Sequence, residues 1–169
     1  MGSGSWKRKK ILLKKHTENI AEELIKTYSQ RQQSRGFVYK RPGPYYSAIC
    51  NSFPYEETSG QLSAIEDVMT DLSSSQPMDR LVCGDVGFGK TEVAIRASIR
   101  AIESDMFVFV LAPTTLLANQ HFFSFSKRLA PLGLRVELLS RFRTKKDQTK
   151  ILSNLKNKKI DVLVGTHRL

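Results

Sequence analysis

At 169 residues and 40% hydrophobic, the chain is long enough for one ordinary globular domain and too short for two large ones. Its 27 Lys and Arg against 16 Asp and Glu give a formal net charge of +11, which favours a polyanionic partner, nucleic acid before an anionic membrane surface. No apolar run approaches the roughly 20 residues that span a bilayer and the N-terminus has no apolar signal core, so no membrane role and a cytoplasmic location are expected.

Met1 to Ser5 (MGSGS) reads as a tag or a short turn and is set apart from the fold. From Trp6 to about Gln33 there is no Gly or Pro. Leu13, Ile20, Ala21, Leu24, Ile25 and Tyr28 recur there at the three-and-four spacing of an amphipathic helix. The basic residues of its first half, Lys7 to Lys10 with Lys14 and Lys15, read as a solvated face and receive no site. Gly36 to Pro54 carries Gly36, Pro42, Gly43, Pro44 and Pro54. It predicts an irregular connector packed by Phe37, Tyr39, Tyr45, Tyr46 and Phe53. Residues 6–52 thus form a linker helix and connector, and the main domain begins near Phe53. Cys50 and Cys83 share no metal-ligand spacing and read as reduced structural thiols.

Beyond Phe53 the pattern alternates. Helices are predicted over about Ser59–Leu72, Lys90–Glu103, Thr115–Leu129 and Lys145–Asn157, and strands over about Arg80–Cys83, Phe107–Ala112, Arg135–Leu139 and Ile160–Val164. Four short apolar strands separated by helices predict an α/β fold, a parallel sheet with helices on both faces.

The most specific chemical signal is GDVGFGKT, Gly84 to Thr91, which satisfies GxxxxGK[ST] between a predicted strand and a helix start. Gly84, Gly87 and Gly89 allow backbone angles closed to other residues. Successive N–H groups, those of Asp85, Val86 and Phe88 included, can then turn toward phosphate oxygens at the helix N-terminus. In such a loop Lys90 reaches the β- and γ-phosphates of ATP and the Thr91 hydroxyl serves Mg²⁺. Upstream, FPYEETSGQ places Phe53 and Gln61 eight residues apart, ahead of the helix that leads to the loop. An aromatic face can stack on adenine, and a glutamine amide can both accept from its exocyclic amine and donate to N7. Taken alone the pair is a weak signal, and Phe53 reads rather as a core plug and Gln61 as a surface helix residue.

FPYEETSGQ, MDRLVCGDVGFGKTEVA, APTTLLANQH, LLSRFRT and VGTHRL resemble the successive front motifs of superfamily 2 helicases, and among them the bacterial transcription-repair coupling factors. The resemblance runs from about Trp6 to Leu169. It implies a RecA-like fold for 53–169, with ATP and Mg²⁺ as cofactors. Phe53 and Gln61 become the adenine site and Gly84 to Thr91 the phosphate loop. It further implies contacts to DNA phosphates at Thr114, Thr115 and Gln120, at Ser140, Arg141 and Arg143, and at Thr166, His167 and Arg168. All three groups follow predicted strands, where ligands of parallel sheets bind. The implied activity is ATP-driven translocation on double-stranded DNA that pushes a stalled RNA polymerase and recruits excision repair, with the protein partners bound outside this chain. A RecG-like branched-DNA helicase is the alternative enzyme, and a nucleic-acid or polymerase-binding piece with a vestigial loop is the alternative binding module. The family also uses an acidic strand and an opposing arginine finger, for which Asp85, Glu92 and Asp161 are no substitutes. The chain alone is therefore expected to bind nucleotide without hydrolysing it, and to show an unfilled slot or an exposed strand edge.

Overall fold

The computed structural model describes residues 3–140 and 142–166 and, within them, not the side chains of 3–5, 7, 8 and 32. Its elements are α1 (Ser3–Gln33), α2 (Pro44–Asn51), α3 (Ser59–Leu72), α4 (Lys90–Ile102), β1 (Val108–Leu111), α5 (Thr115–Leu129), a short 3₁₀ turn (Ala130–Leu132), β2 (Val136–Leu139), α6 (Lys145–Lys156) and β3 (Val162–Gly165). Among the described residues no helix is long and apolar enough to cross a membrane.

The strands form one parallel sheet in the order β1-β3-β2, with Val162 of β3 opposite both Val108 and Val136. The central strand reads VLVG and is buried throughout, as a strand covered on both faces must be. Its alternate side chains divide the core. Val162 and Val164 join Ile95 and Ile99 of α4 and Ala118, Phe125 and Leu129 of α5 on one face. Leu163 joins Leu139, Ile151 and Leu155 on the other, where α6 packs. Helices therefore cover both faces, and a third cluster, Ile65, Val68, Leu72 and Val93, seals α3 onto α4.

The helices start where the sequence offers caps. The hydroxyls of Thr58, Thr114 and Thr144 accept from the N–H groups of Gln61, Leu117 and Asp147, and Thr58 with Gln61 completes a reciprocal capping box.

Two expectations are corrected. Arg80–Cys83 forms no strand: Val82 packs against the α3–α4 cluster, but Leu81 is 86% exposed and the segment has no ladder partner among the described residues. An apolar run satisfies strand propensity, yet a strand exists only where a neighbour takes its backbone groups. β1 and β2 each pair with β3 alone and form the two edges of the sheet, with Phe109 and Leu111 of β1 exposed.

The connector is not irregular throughout, because residues 44–51 make α2, with Pro44 in its first turn. The Glu103 carboxylate, at the end of α4, accepts from the N–H groups of Gly43, Tyr45 and Tyr46. A charge from elsewhere in the fold thus satisfies the start of α2. Neighbouring bonds anchor the same stretch: Arg100 Nε donates to the Lys40 carbonyl, and the Lys40 ammonium pairs with Asp105. Gly36 N–H and Tyr39 N–H donate to the carbonyls of Ser75 and Leu72. The long helix α1 meets its expected bounds to within a few residues, but its apolar side, including Leu13, Ile20, Leu24, Ile25 and Tyr28, is exposed.

Candidate nucleotide site

Gly84 to Gly89 leads directly into α4, whose first residue is Lys90. Gly87 and Gly89 adopt φ values of 87° and 70°, the left-handed region that glycine enters without strain. At Gly89 a second constraint acts, because an added Cβ would collide with the Gln61 side-chain amide. The loop is open to solvent, with Val86 99% and Phe88 59% exposed. Lys90 Nζ donates to the carbonyl oxygens of Gly84 and Asp85, the latter at 2.6 Å. Gln61 fastens the loop to α3: its Nε2 donates to the Phe88 carbonyl at 2.9 Å while its Oε1 accepts from the Thr58 N–H.

The loop forms one wall of a cavity of about 1080 Å³, and Phe53 and Gln61 stand in the same cavity with Thr91, Glu92 and Arg128. Sequence reasoning selected the loop and the aromatic–glutamine pair separately, and the fold brings them together.

Beneath Phe53 lies an ion-pair network that sequence reasoning missed. Glu92 and Arg96, buried on α4, pair at 3.0 Å, and Arg96 also bonds Glu57. Arg128, from the last turn of α5, reaches the same Glu92 oxygen at 2.9 Å. The guanidinium carbons of Arg96 and Arg128 each lie 5.5 Å from the centroid of the Phe53 ring, within cation–π range. The Nε of Arg128 is the one buried side-chain polar atom among the described residues without a protein partner.

The charges act on their neighbours. The Arg96 hydrogen bond holds the Glu57 carboxyl below the usual carboxylate range. Burial alone would lower the Arg96 value, but the bonds from Glu57 and Glu92 outweigh it and raise the value. The i,i+4 spacing of Glu92 and Arg96 was a visible signal. Arg128 gave none, since it reads as an ordinary cation in a helix's last turn.

Cys50 and Cys83 flank this region differently. Burial pushes the Cys50 thiol up, whereas Cys83 is exposed beside Gly84. Thiolates rather than thiols react, so iodoacetamide near neutral pH is expected to alkylate Cys83 several-fold faster than Cys50. Peptide mass mapping over time reads both rates, and equal rates would contradict the assignment.

The residues proposed for DNA follow the carboxyl ends of β1, β2 and β3, at one end of the parallel sheet. Thr114 caps α5 through its hydroxyl, Thr115 opens that helix, and Gln120 is exposed on it. Arg143 is exposed, and its N–H donates to the Ser140 carbonyl. Ser140 and Thr166 are buried at 3% and 4% exposure, so they face the interior here rather than solvent. Arg141, His167 and Arg168 lie outside the described residues.

A parallel α/β sheet flanked by helices, with a glycine loop opening one of them, defines a RecA-like P-loop domain. The chain belongs to the DEAD/DEAH box helicase family, whose model matches residues 58–169. It is 46% identical over 169 residues to the transcription-repair-coupling factor of Escherichia coli (strain K12), covering 100% of this chain and 15% of the relative. The corresponding protein of Bacillus subtilis (strain 168) is 42% identical over 169 residues, covering 100% of this chain and 14% of the relative. The chain thus spans about 15% of the length of these curated relatives. Among solved structures, RecG bound to a three-way DNA junction matches with a TM-score of 0.78 at 34% identity, covering 85% of this chain and 20% of that one.

Proposed function

We propose that the chain is part of an ATP-dependent translocase on double-stranded DNA that displaces stalled RNA polymerase and couples transcription to nucleotide excision repair. Residues 53–169 belong to its ATP-binding domain and 6–52 to the linker helix and connector that precede it. The supporting observation is the shared cavity. Phe53 and Gln61 line it for the adenine, Gln61 bonded to the loop itself, and Val86 to Gly89 with Thr91 line it for the phosphates, with Lys90 opening α4 directly behind the loop. The donor set suits the cofactor: backbone amides and an ammonium for phosphate oxygens, and a hydroxyl for Mg²⁺, a hard cation that prefers oxygen. When bound, Mg·ATP supplies the phosphoryl group whose transfer drives such motors. In this reading RNA polymerase and the excision-repair proteins are engaged by parts of a longer protein outside these 169 residues.

Cys83 reports on this reading, since it lines a small hollow with Gly84 and Lys90. Mg·ATP is expected to slow Cys83 alkylation and leave Cys50 unchanged. An unaltered Cys83 rate at saturating nucleotide would count against a phosphate site at the loop.

DNA binding through Thr114, Thr115, Gln120 and Arg143 uses hydroxyls, an amide and a guanidinium directed at phosphates, not base edges. Each phosphate neutralised contributes about −0.9 to the slope of log K against log salt on duplex DNA. Arg143→Ala in the longer protein is therefore expected to reduce that slope by up to about 1 and to weaken all sequences alike. An unchanged slope, or a loss confined to some sequences, would remove Arg143 from the track.

The likeness to RecG supports a second reading as a branched-DNA enzyme. Equal DNA-stimulated ATPase on linear duplex and on a three-way junction favours the translocase, and strong junction preference the alternative.

A further inference from the structure

We propose that Arg128 is a positioning residue for base recognition, acting through Phe53. This rests on the reading that Phe53 and Gln61 take the base. The guanidinium leaves its own helix, α5, and spends its donors on two others. Nη1 donates to the carbonyl and hydroxyl oxygens of Ser52, each at 2.8 Å, and Nη2 donates to the Ile49 carbonyl and to Glu92 Oε1, each at 2.9 Å. Ile49 and Ser52 stand at the C-terminal end of α2, where helix carbonyls lack intrahelical partners and carry partial negative charge. A planar, always-charged fork is complementary to such an end. Phe53 is the next residue along the chain, so the bonds that fix Ser52 also fix where the Phe53 side chain begins.

The same guanidinium then contacts the ring itself, 5.5 Å from its centroid, as does Arg96. Tyr55 adds an edge-to-face contact at 5.6 Å. Phe53 is thus half-buried, held by two cations and an aromatic edge, with its remaining surface toward the cavity. A ring seated before the ligand arrives loses less rotamer freedom on stacking, which is the source of affinity from preorganisation. Through Glu92, the residue after Thr91, the fork also meets the first turn of α4, so one side chain links Phe53 to the helix that follows the loop. Closing the end of α2 accounts for the carbonyl contacts, whereas the contact with the ring is one that a role in stability alone would not need.

The test compares Mg·ATP with inorganic tripolyphosphate as ligands of the 169-residue chain, by calorimetric titration. Arg128→Met is expected to weaken ATP about tenfold, in line with loss of a desolvated cation–π contact and its preorganisation, and to leave tripolyphosphate within about twofold. Phe53→Ala is expected to weaken ATP selectively as well. In that background Arg128→Met should add less than about twofold, because the group it acts through is gone. Arg128→Lys keeps the charge but not the fork, so it should show the same ATP-selective loss and serves where the methionine variant does not fold.

Several results overturn the proposal: equal weakening of both ligands by either Arg128 variant, full ATP affinity in Arg128→Lys, or an undiminished Arg128→Met effect in the Phe53→Ala background. A Phe53→Ala variant that binds ATP as tightly as the parent overturns the base-site reading itself. That outcome is read with Arg128 intact, so the two failures are distinct.

Discussion

Replacing Lys90 with alanine is expected to reduce ATP hydrolysis at least about 10²-fold in a protein of the relatives' length carrying this segment, with the fold unchanged. The two halves of that statement have different physical sources. The activity half follows from position. Lys90 is the first residue of α4, directly behind a glycine loop, and its ammonium lies against the loop's own carbonyls. There it can exchange those carbonyls for phosphate oxygens, on which charge is redistributed during phosphoryl transfer in a site that excludes water. A fixed positive charge is worth more under those conditions than in solution. The stability half follows from what Lys90 does not touch: its side chain is exposed and belongs to none of the three apolar clusters. Alanine is also the best helix former, so α4 loses nothing in propensity. Phosphate release beside a thermal melt checks both. More than about a tenth of the parent rate would sink the assignment, and a large drop in melting temperature would assign Lys90 a structural role instead.

The parts of this fold that could be read from sequence are those governed by local chemistry. α3, α4, α5 and α6 fall within about a residue of their expected bounds because each opens on a threonine cap or the glycine loop, signals that act over three or four residues. The central strand was legible because its VLVG run is apolar on both faces. Arg80–Cys83 went wrong for a non-local reason, since pairing depends on a neighbour and not on the segment's own residues. α2 was hidden by the density of Pro and Gly around it. Pro44 is compatible with a first helical turn, and the groups that complete the helix, Glu103 at its start and Arg128 at its end, come from about 60 to 80 residues away. The site divides in the same way. The loop declares itself by motif, Phe53 and Gln61 only once the fold places them beside it, and Glu57, Glu92, Arg96 and Arg128 not at all as a set. Buried ion pairs have no sequence period. The exposed apolar side of α1 is the converse case, where a clear helical period did not predict burial.

Glu92→Ala is expected to destabilise the chain by about 3–5 kcal/mol, the range for breaking a buried pair by removing one partner. Glu92 is 5% exposed, and a single oxygen accepts from both Arg96 Nε and Arg128 Nη2. Its loss is unequal for the two cations. Arg96 keeps Glu57, whose carboxyl already favours the ionised form, whereas Arg128 is left with only neutral oxygens, those of Ile49 and Ser52. The cost thus comes chiefly from a desolvated guanidinium without a counter-charge rather than from a missing attraction. That origin makes two further variants decisive. Glu92→Gln keeps an acceptor oxygen and the side-chain volume while removing the charge, so it should cost less than alanine, which also opens a cavity. The double variant Glu92→Ala with Arg128→Met should be more stable than Glu92→Ala alone, because it removes the orphaned cation together with its partner. Urea unfolding of the parent, Glu92→Ala, Arg128→Met and the double variant gives the coupling directly, provided the slopes with denaturant agree. If the alanine variant lost less than about 1 kcal/mol, the pairing would be worth no more than a surface bridge. If the double variant were less stable than Glu92→Ala by the full cost of Arg128→Met, the two side chains would be acting independently and the network under Phe53 would not be a unit.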